Sequence, residues 1–489
     1  MLRRVLLVAM IVLPVTAPGW FGGGQAVGRS IDGLIDANAH SAGVTLRNDE
    51  RKLLRKALQL VEERYLNEIG AQHVLQEVMM ALAEQADRTE EGVPVEESAP
   101  RAVPDRLARM DEALNIALRG LDAHTAYLTP SAYREMQVRT RGEFGGLGLE
   151  VTMDADADAV RVVSPIDETP AQRAGMRAGD LITHVDDAPV KGMSLREAVM
   201  LMRGNVGTSV RLTVERDGAD APLQVSIVRD IIRIRPVRYR READVGYIRL
   251  SAFSEKAQSG IEEAVDALRD DAGGELRGYV IDLRNNPGGL LDQAVRVADA
   301  FLDDGNVVSV RGRMDADNAR YDAVDGDVSD GSRLVVLVNA GSASASEIVA
   351  GALQDHGRAT VIGSRSFGKG SVQTILSMGH YGAMRLTTAL YYTPSGRAIQ
   401  ARGVQPDLRI ELPEDDPRKA RRPRREENLT HALANPGEAD ETVDQVPTIS
   451  AERCQALLET EIDDGELACA LALLRLGGIE QLASAAERL

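Results

Sequence analysis

Apolar positions between about Ile232 and residue 412 alternate between two textures. Runs rich in apolar and β-branched residues, Val245 to Leu250, Gly278 to Arg284, Leu334 to Val338 and Ala359 to Ile362, read as strands. Between them, Ala257 to Leu268, Leu290 to Phe301 and Glu347 to Asp355 repeat at helical spacing. Strands alternating with helices predict an α/β core with a largely parallel sheet. Upstream, Leu53, Leu54, Ala57, Leu58, Val61 and Tyr65 line one face of a helix, and Val74, Leu75, Val78, Met79 and Leu82 a second. A third spans about Leu107 to Leu118. Residues 86–106 are acidic and proline-punctuated, and read as a loop. From Gly142 to about 230 the texture turns to short alternating strands around one helix, Ser194 to Arg203. The resulting division is a helical region to 140, a β-rich unit over 141–231, the α/β core over 232–412, a charged linker over 413–450 and a helical hairpin over 451–489.

Composition narrows the partners. A formal net charge of −18 argues against nucleic acid, and the Arg-rich run Arg418 to Arg425 is followed at once by Glu426-Glu427, as in a solvated linker. Arg3-Arg4, an apolar run from Val5 to Val15 and small residues to Ala26 have the three regions of a secretory signal peptide, taken as 1–26. An uncleaved membrane anchor is the alternative, and both readings place the body outside the cytoplasm, in the periplasm. The two cysteines, Cys454 and Cys469, leave a disulfide open. Neither has metal-ligand spacing, and no metal or cofactor is expected. The acidic turn Asp154-x-Asp156-x-Asp158 lacks the glycine and glutamate of a calcium loop and reads as a hairpin.

Candidate chemistry gathers just beyond the carboxyl ends of the predicted strands, where open α/β sheets place their ligands. Ser342, Ser344 and Ser346 stand at a strand-to-helix turn. A serine there faces free helix N–H groups that favour developing negative charge, although such serines also serve simply as caps. Ser344 is the candidate nucleophile, with the Ala345 amide and an amide at Gly288 or Gly289 as oxyanion donors. None of the seven histidines lies in a motif-like setting. Lys369, between Gly368 and Gly370, can act as a base if burial leaves its amine neutral. Gly363-x-x-x-x-Gly368-Lys369 also resembles a phosphate-binding loop, but Gly370 replaces the required Ser or Thr and a strand follows instead of a helix.

The pattern Asn339-x-Gly341-Ser342-Ala343-Ser344-Ala345-Ser346-Glu347-Ile348, with Phe367-Gly368-Lys369-Gly370 and Gln373, resembles the C-terminal processing (tail-specific) proteases. Asp282 to Gly289, Tyr392 to Arg397 and Gly403-Val404-x-Pro406-Asp407 extend the likeness. The resemblance implies a serine endopeptidase with Ser344 as nucleophile, Lys369 as general base and Gln373 orienting the lysine. It also implies an oxyanion hole at Gly288 and Ala345. Residues 141–231 resemble the family's PDZ domain, inserted ahead of the protease core, with Gly146-Leu147-Gly148-Leu149 as carboxylate-binding loop and Arg203 as a contact to the active site. Expected partners are proteins or peptides with free C-termini. An adaptor is left open, and apolar faces on the terminal helices suggest a homodimer. A non-catalytic PDZ scaffold with a decayed core is the second reading, and a nucleotide-binding protein the third.

Overall fold

The computed structural model describes residues 31–90, 106–413, 416, 423–437 and 446–488, apart from breaks at 155–156, 167–168, 220, 234, 275, 325 and 414–415. The expected signal peptide lies outside these residues.

A seven-stranded sheet organises the molecule. Its order is Val237–Glu242, Val245–Leu250, Gly278–Asp282, Arg333–Val338, Ala359–Gly363, Leu408–Glu411 and Thr448–Ser450, parallel throughout except for the first pair. Alternation along one strand explains the continuous apolar runs. Leu334, Val336 and Val338 pack towards the helices Ala257–Ala272, Leu291–Asp299 and Ala345–Asp355. Val335 and Leu337 pack towards the C-terminal helices on the other face.

That second layer changes the reading of the tail. Three helices, Ala451–Ala456, Gly465–Leu476 and Ile479–Ala486, stand where a hairpin was expected. Cys454 and Cys469 form a disulfide that ties the first to the second. The expected linker is only partly one: Thr448–Ser450 completes the sheet, and 423–437 packs on the core. The helical region Ile31–Ser41, Asn48–Arg64, Ala71–Glu90 and Arg106–Arg119 packs on an antiparallel sheet that includes Ala126–Leu128, Ser371–Ser377 and Ala383–Tyr392. Ala71–Glu90 is longer than its apolar pattern suggested and takes the first part of the expected loop; 91–105 lie outside the described residues. The apolar faces that suggested a dimer are buried within the chain at both ends.

The unit over 141–231 holds a six-stranded sheet and the helix Leu195–Met202. Leu149–Asp154 lies at one edge and pairs antiparallel with Ala159–Pro165, while Asp156 of the acidic turn expected as a hairpin lies outside the described residues.

Candidate active site

Two strand ends and one loop build the site. Arg333–Val338 ends at Asn339, whose Oδ1 accepts the Asn285 N–H (2.9 Å) while its amide donates to Asn285 Oδ1 (3.1 Å). The ends of neighbouring strands are thereby locked together. The serines then separate. Ser342 Oγ donates to the Leu283 carbonyl (2.8 Å) and Ser346 Oγ to the Asn286 carbonyl (2.9 Å), so both are structural. Ser344, between them, keeps its hydroxyl beside the buried Tyr391 phenol. Its φ of 57° is left-handed, a strained conformation for a residue other than glycine and one that recurs at functional sites.

The Ala345 N–H has no hydrogen-bond partner among the described residues and opens the helix Ala345–Asp355. Gly288 is packed against it. A Cβ there would lie 2.9 Å from the Ala345 nitrogen and 2.9 Å from Ser344 Cβ, and its φ is 96°. Only glycine fits. The Gly288 N–H is not the unobstructed donor expected, because it donates to Asn286 Oδ1 (2.9 Å).

Glu347, one turn into the helix, was not singled out by the sequence. Its carboxylate is fully buried and accepts the Ser344 N–H (2.7 Å), the Gly368 N–H (2.6 Å), the Lys369 N–H (2.9 Å) and Ser366 Oγ (2.5 Å). Burial pushes its pKa up to about 7, against the pull of these four donors. Lys369 itself is pushed down to about 8, first by burial and then by the Arg385 guanidinium, with Glu426, Glu347 and Asp122 opposing. Gly370 is glycine because the Gln400 backbone passes directly over it. Gln373, on Ser371–Ser377, donates to Ser371 Oγ (2.9 Å), and no hydrogen bond joins it to Lys369 among the described residues.

In the unit over 141–231, the loop from Gly146 to Leu149 enters the edge strand. Gly148 has a φ of 79°, and its carbonyl accepts from the Ile166 N–H (2.8 Å) and Thr169 Oγ1 (3.2 Å). Arg203 ends the neighbouring helix and pairs with Glu135 (3.5 Å) on Pro130–Arg141. No group of side chains with metal-binding geometry occurs among the described residues.

Comparison with known proteins decides the family. Residues 244–410 match peptidase family S41, and 161–216 match the PDZ domain. The chain is 53% identical over 312 residues to the carboxy-terminal-processing protease of Bartonella bacilliformis, covering 64% of this chain and 71% of that one. It is 35% identical over 363 residues to the carboxyl-terminal-processing protease of a Picosynechococcus species, covering 73% and 83%. The chain belongs to the carboxyl-terminal-processing proteases. It is a serine-type peptidase of family S41 that carries a PDZ domain, on an α/β core, as the motifs implied. Among solved structures, the photosystem II D1 C-terminal processing protease aligns at 30% identity over 75% of this chain and 94% of its own, with a TM-score of 0.44. A nucleotide-binding reading of the protease's lysine loop falls away with this assignment.

Proposed function

We propose that this protease is exported, holds the free C-terminus of a protein substrate on its PDZ loop, and cuts the chain with a Ser344–Lys369 dyad. The observation that carries the reading is the shared carboxylate oxygen: Glu347 Oε2 accepts the backbone N–H of both residues. The neutral Lys369 amine takes the proton of Ser344 as its oxygen attacks the scissile carbonyl. The Ala345 N–H stabilises the oxyanion, joined by Gly288 once its amide turns from Asn286. Lys369 hands that proton to the leaving amine as the C–N bond breaks, and the acyl-enzyme is then hydrolysed by water, with the regenerated Lys369 amine again as base.

Substrate reading follows from the edge strand Leu149–Asp154, which leaves one side for an added peptide strand, with the Gly146 to Leu149 loop for the terminal carboxylate. Arg203, joined through Glu135 to the preceding helix, is the proposed relay from a loaded PDZ domain to the site. Export is supported by the N-terminal pattern and by the Cys454–Cys469 pair, a bond of oxidising compartments. Intact mass of the secreted form would reveal cleavage near residue 26.

The test uses purified wild type, Ser344→Ala and Lys369→Ala with an unstructured protein ending in apolar residues, and with its C-terminally amidated form. Cleavage by wild type alone, slower on the amidated substrate, is expected. Equal cleavage by Ser344→Ala overturns the assignment.

A further inference from the structure

The loop that carries Lys369 is held on one side by Glu347 and on the other by a segment far along the chain, beyond the matched S41 region. The Glu426 N–H donates to the Phe367 carbonyl (3.1 Å). Arg425 Nη1 donates to the carbonyls of Arg365 and Ser366 (2.7 Å each). Asn435 Nδ2 reaches the Ala398 and Gln400 carbonyls (3.1 and 2.5 Å).

The carboxylate of Glu426 is fully buried, in a stretch whose charge predicted solvent. A carboxylate is kept there only with strong partners. Both of its oxygens lie 2.9 Å from His124 Nε2, and Oε1 accepts Gln400 Nε2 (3.1 Å). Gln400 is also fully buried, and its Oε1 accepts the Gly370 N–H (3.0 Å). His124 is fixed in turn, with its N–H on Asp122 Oδ1 (2.7 Å) and its carbonyl on Arg385 Nε (2.9 Å). A continuous set of bonds therefore runs from the tail, through Gln400, to the residue next to Lys369, braced by the N-terminal region.

We propose that the tail segment 425–435 completes the catalytic centre, with Glu426 a positioning residue that, together with His124 and Gln400, fixes the lysine loop and holds a negative charge beside the Lys369 amine. This deepens the dyad reading and rests on it. Around Lys369 the charged groups are Arg385, Glu426, Glu347 and Asp122, with His124 bridging to Glu426. Arg385 drives the lysine proton off and Glu426 retains it, so the tail tunes as well as orients the base.

The test measures kcat and KM against pH for the full chain, with a fluorogenic peptide ending in a free apolar C-terminus. The variants are Glu426→Gln, Glu426→Ala and Lys369→Ala, with thermal melts for each. Glu426→Gln keeps the shape and removes the charge. Its rising limb of kcat/KM is expected to move to lower pH by roughly half a unit or more, as loss of a nearby opposite charge requires. Glu426→Ala is expected to lower kcat at least ~10-fold, with KM changed less than ~2-fold. A Glu426→Gln limb at the wild-type pH overturns the proposal, whatever happens to stability, because a merely structural carboxylate does not set that midpoint. Undiminished kcat in Glu426→Ala overturns it too. Activity retained by Lys369→Ala instead rejects the dyad beneath it.

Discussion

Ser344 and Lys369 donate their backbone N–H groups to one and the same oxygen, Glu347 Oε2, at 2.7 and 2.9 Å. The helix that presents the serine and the loop that presents the lysine are thus registered by a single buried carboxylate. Glu347→Gln must turn an amide NH2 towards some of these donors. Each donor left unpaired costs roughly 1–3 kcal/mol. A lower melting temperature and a fall in kcat are expected together, and the variant's melt and kcat check it.

The three serines differ in what they lose. Ser344→Ala is expected to lower kcat at least ~1000-fold with little change in stability, since among the described residues its hydroxyl donates to no backbone carbonyl and meets only the Tyr391 phenol. Ser342→Ala and Ser346→Ala each withdraw the donor from a buried carbonyl and should lower stability by about 1 kcal/mol while turnover persists. Melting curves beside turnover separate the two kinds.

Lys369 gives a pH dependence of defined sign. Its pKa is lowered from 10.5 to about 8, so the neutral amine, the form proposed as base, accumulates as pH rises through 8, and kcat/KM should climb there. The same shift bears on stability. Below pH 8 the folded protein must hold a buried charge that the unfolded chain holds in water. Lys369→Met is therefore expected to be more stable than wild type at pH 7, by up to roughly 3 kcal/mol, and the gain should shrink between pH 8 and 10.5. Denaturation at both pH values tests this.

Gly148 tests the proposed role of the PDZ loop in reading substrate. With φ at 79° and Thr169 against it, Gly148→Ala strains the turn. KM for substrates with free C-termini should rise, while a peptide too short to span to the PDZ domain should be cut as before. Equal effects on both substrates would place the defect elsewhere.

Reduction of the Cys454–Cys469 bond frees a short loop and should cost up to ~3 kcal/mol, read as a lower melting temperature under dithiothreitol.

Much of this was legible in the chain. Leu334 to Val338 and the 345–355 helix announced themselves because a doubly covered strand is continuously apolar and a helix repeats at its own period. What neighbours cannot encode was missed. Ser344 was picked out by its motif, but that Ser342 and Ser346 are tied to the carbonyls of Leu283 and Asn286, brought in from another strand end, was not. Glu347 had a local signal, since an acidic residue three positions after a helix-start serine suggests a cap, but not that it would also bind the Lys369 loop. Glu426 had none. Its partner His124 is 302 residues away, and beside an arginine run its charge pointed to solvent.

The placement of Arg284 has a consequence for a chain still being made. This buried side chain, directly ahead of the 285–289 segment that faces Ser344, is paired by Asp464 (2.6 Å) and Glu466 (2.8 Å) of the last helices. Until those residues leave the ribosome, Arg284 lacks two of its three carboxylates. Serine, lysine and Glu347 are all synthesised well before that. The 285–289 segment opposite Ser344 is thus braced by residues made long after it, so a chain truncated before Asp464 is expected to lose melting temperature and kcat together.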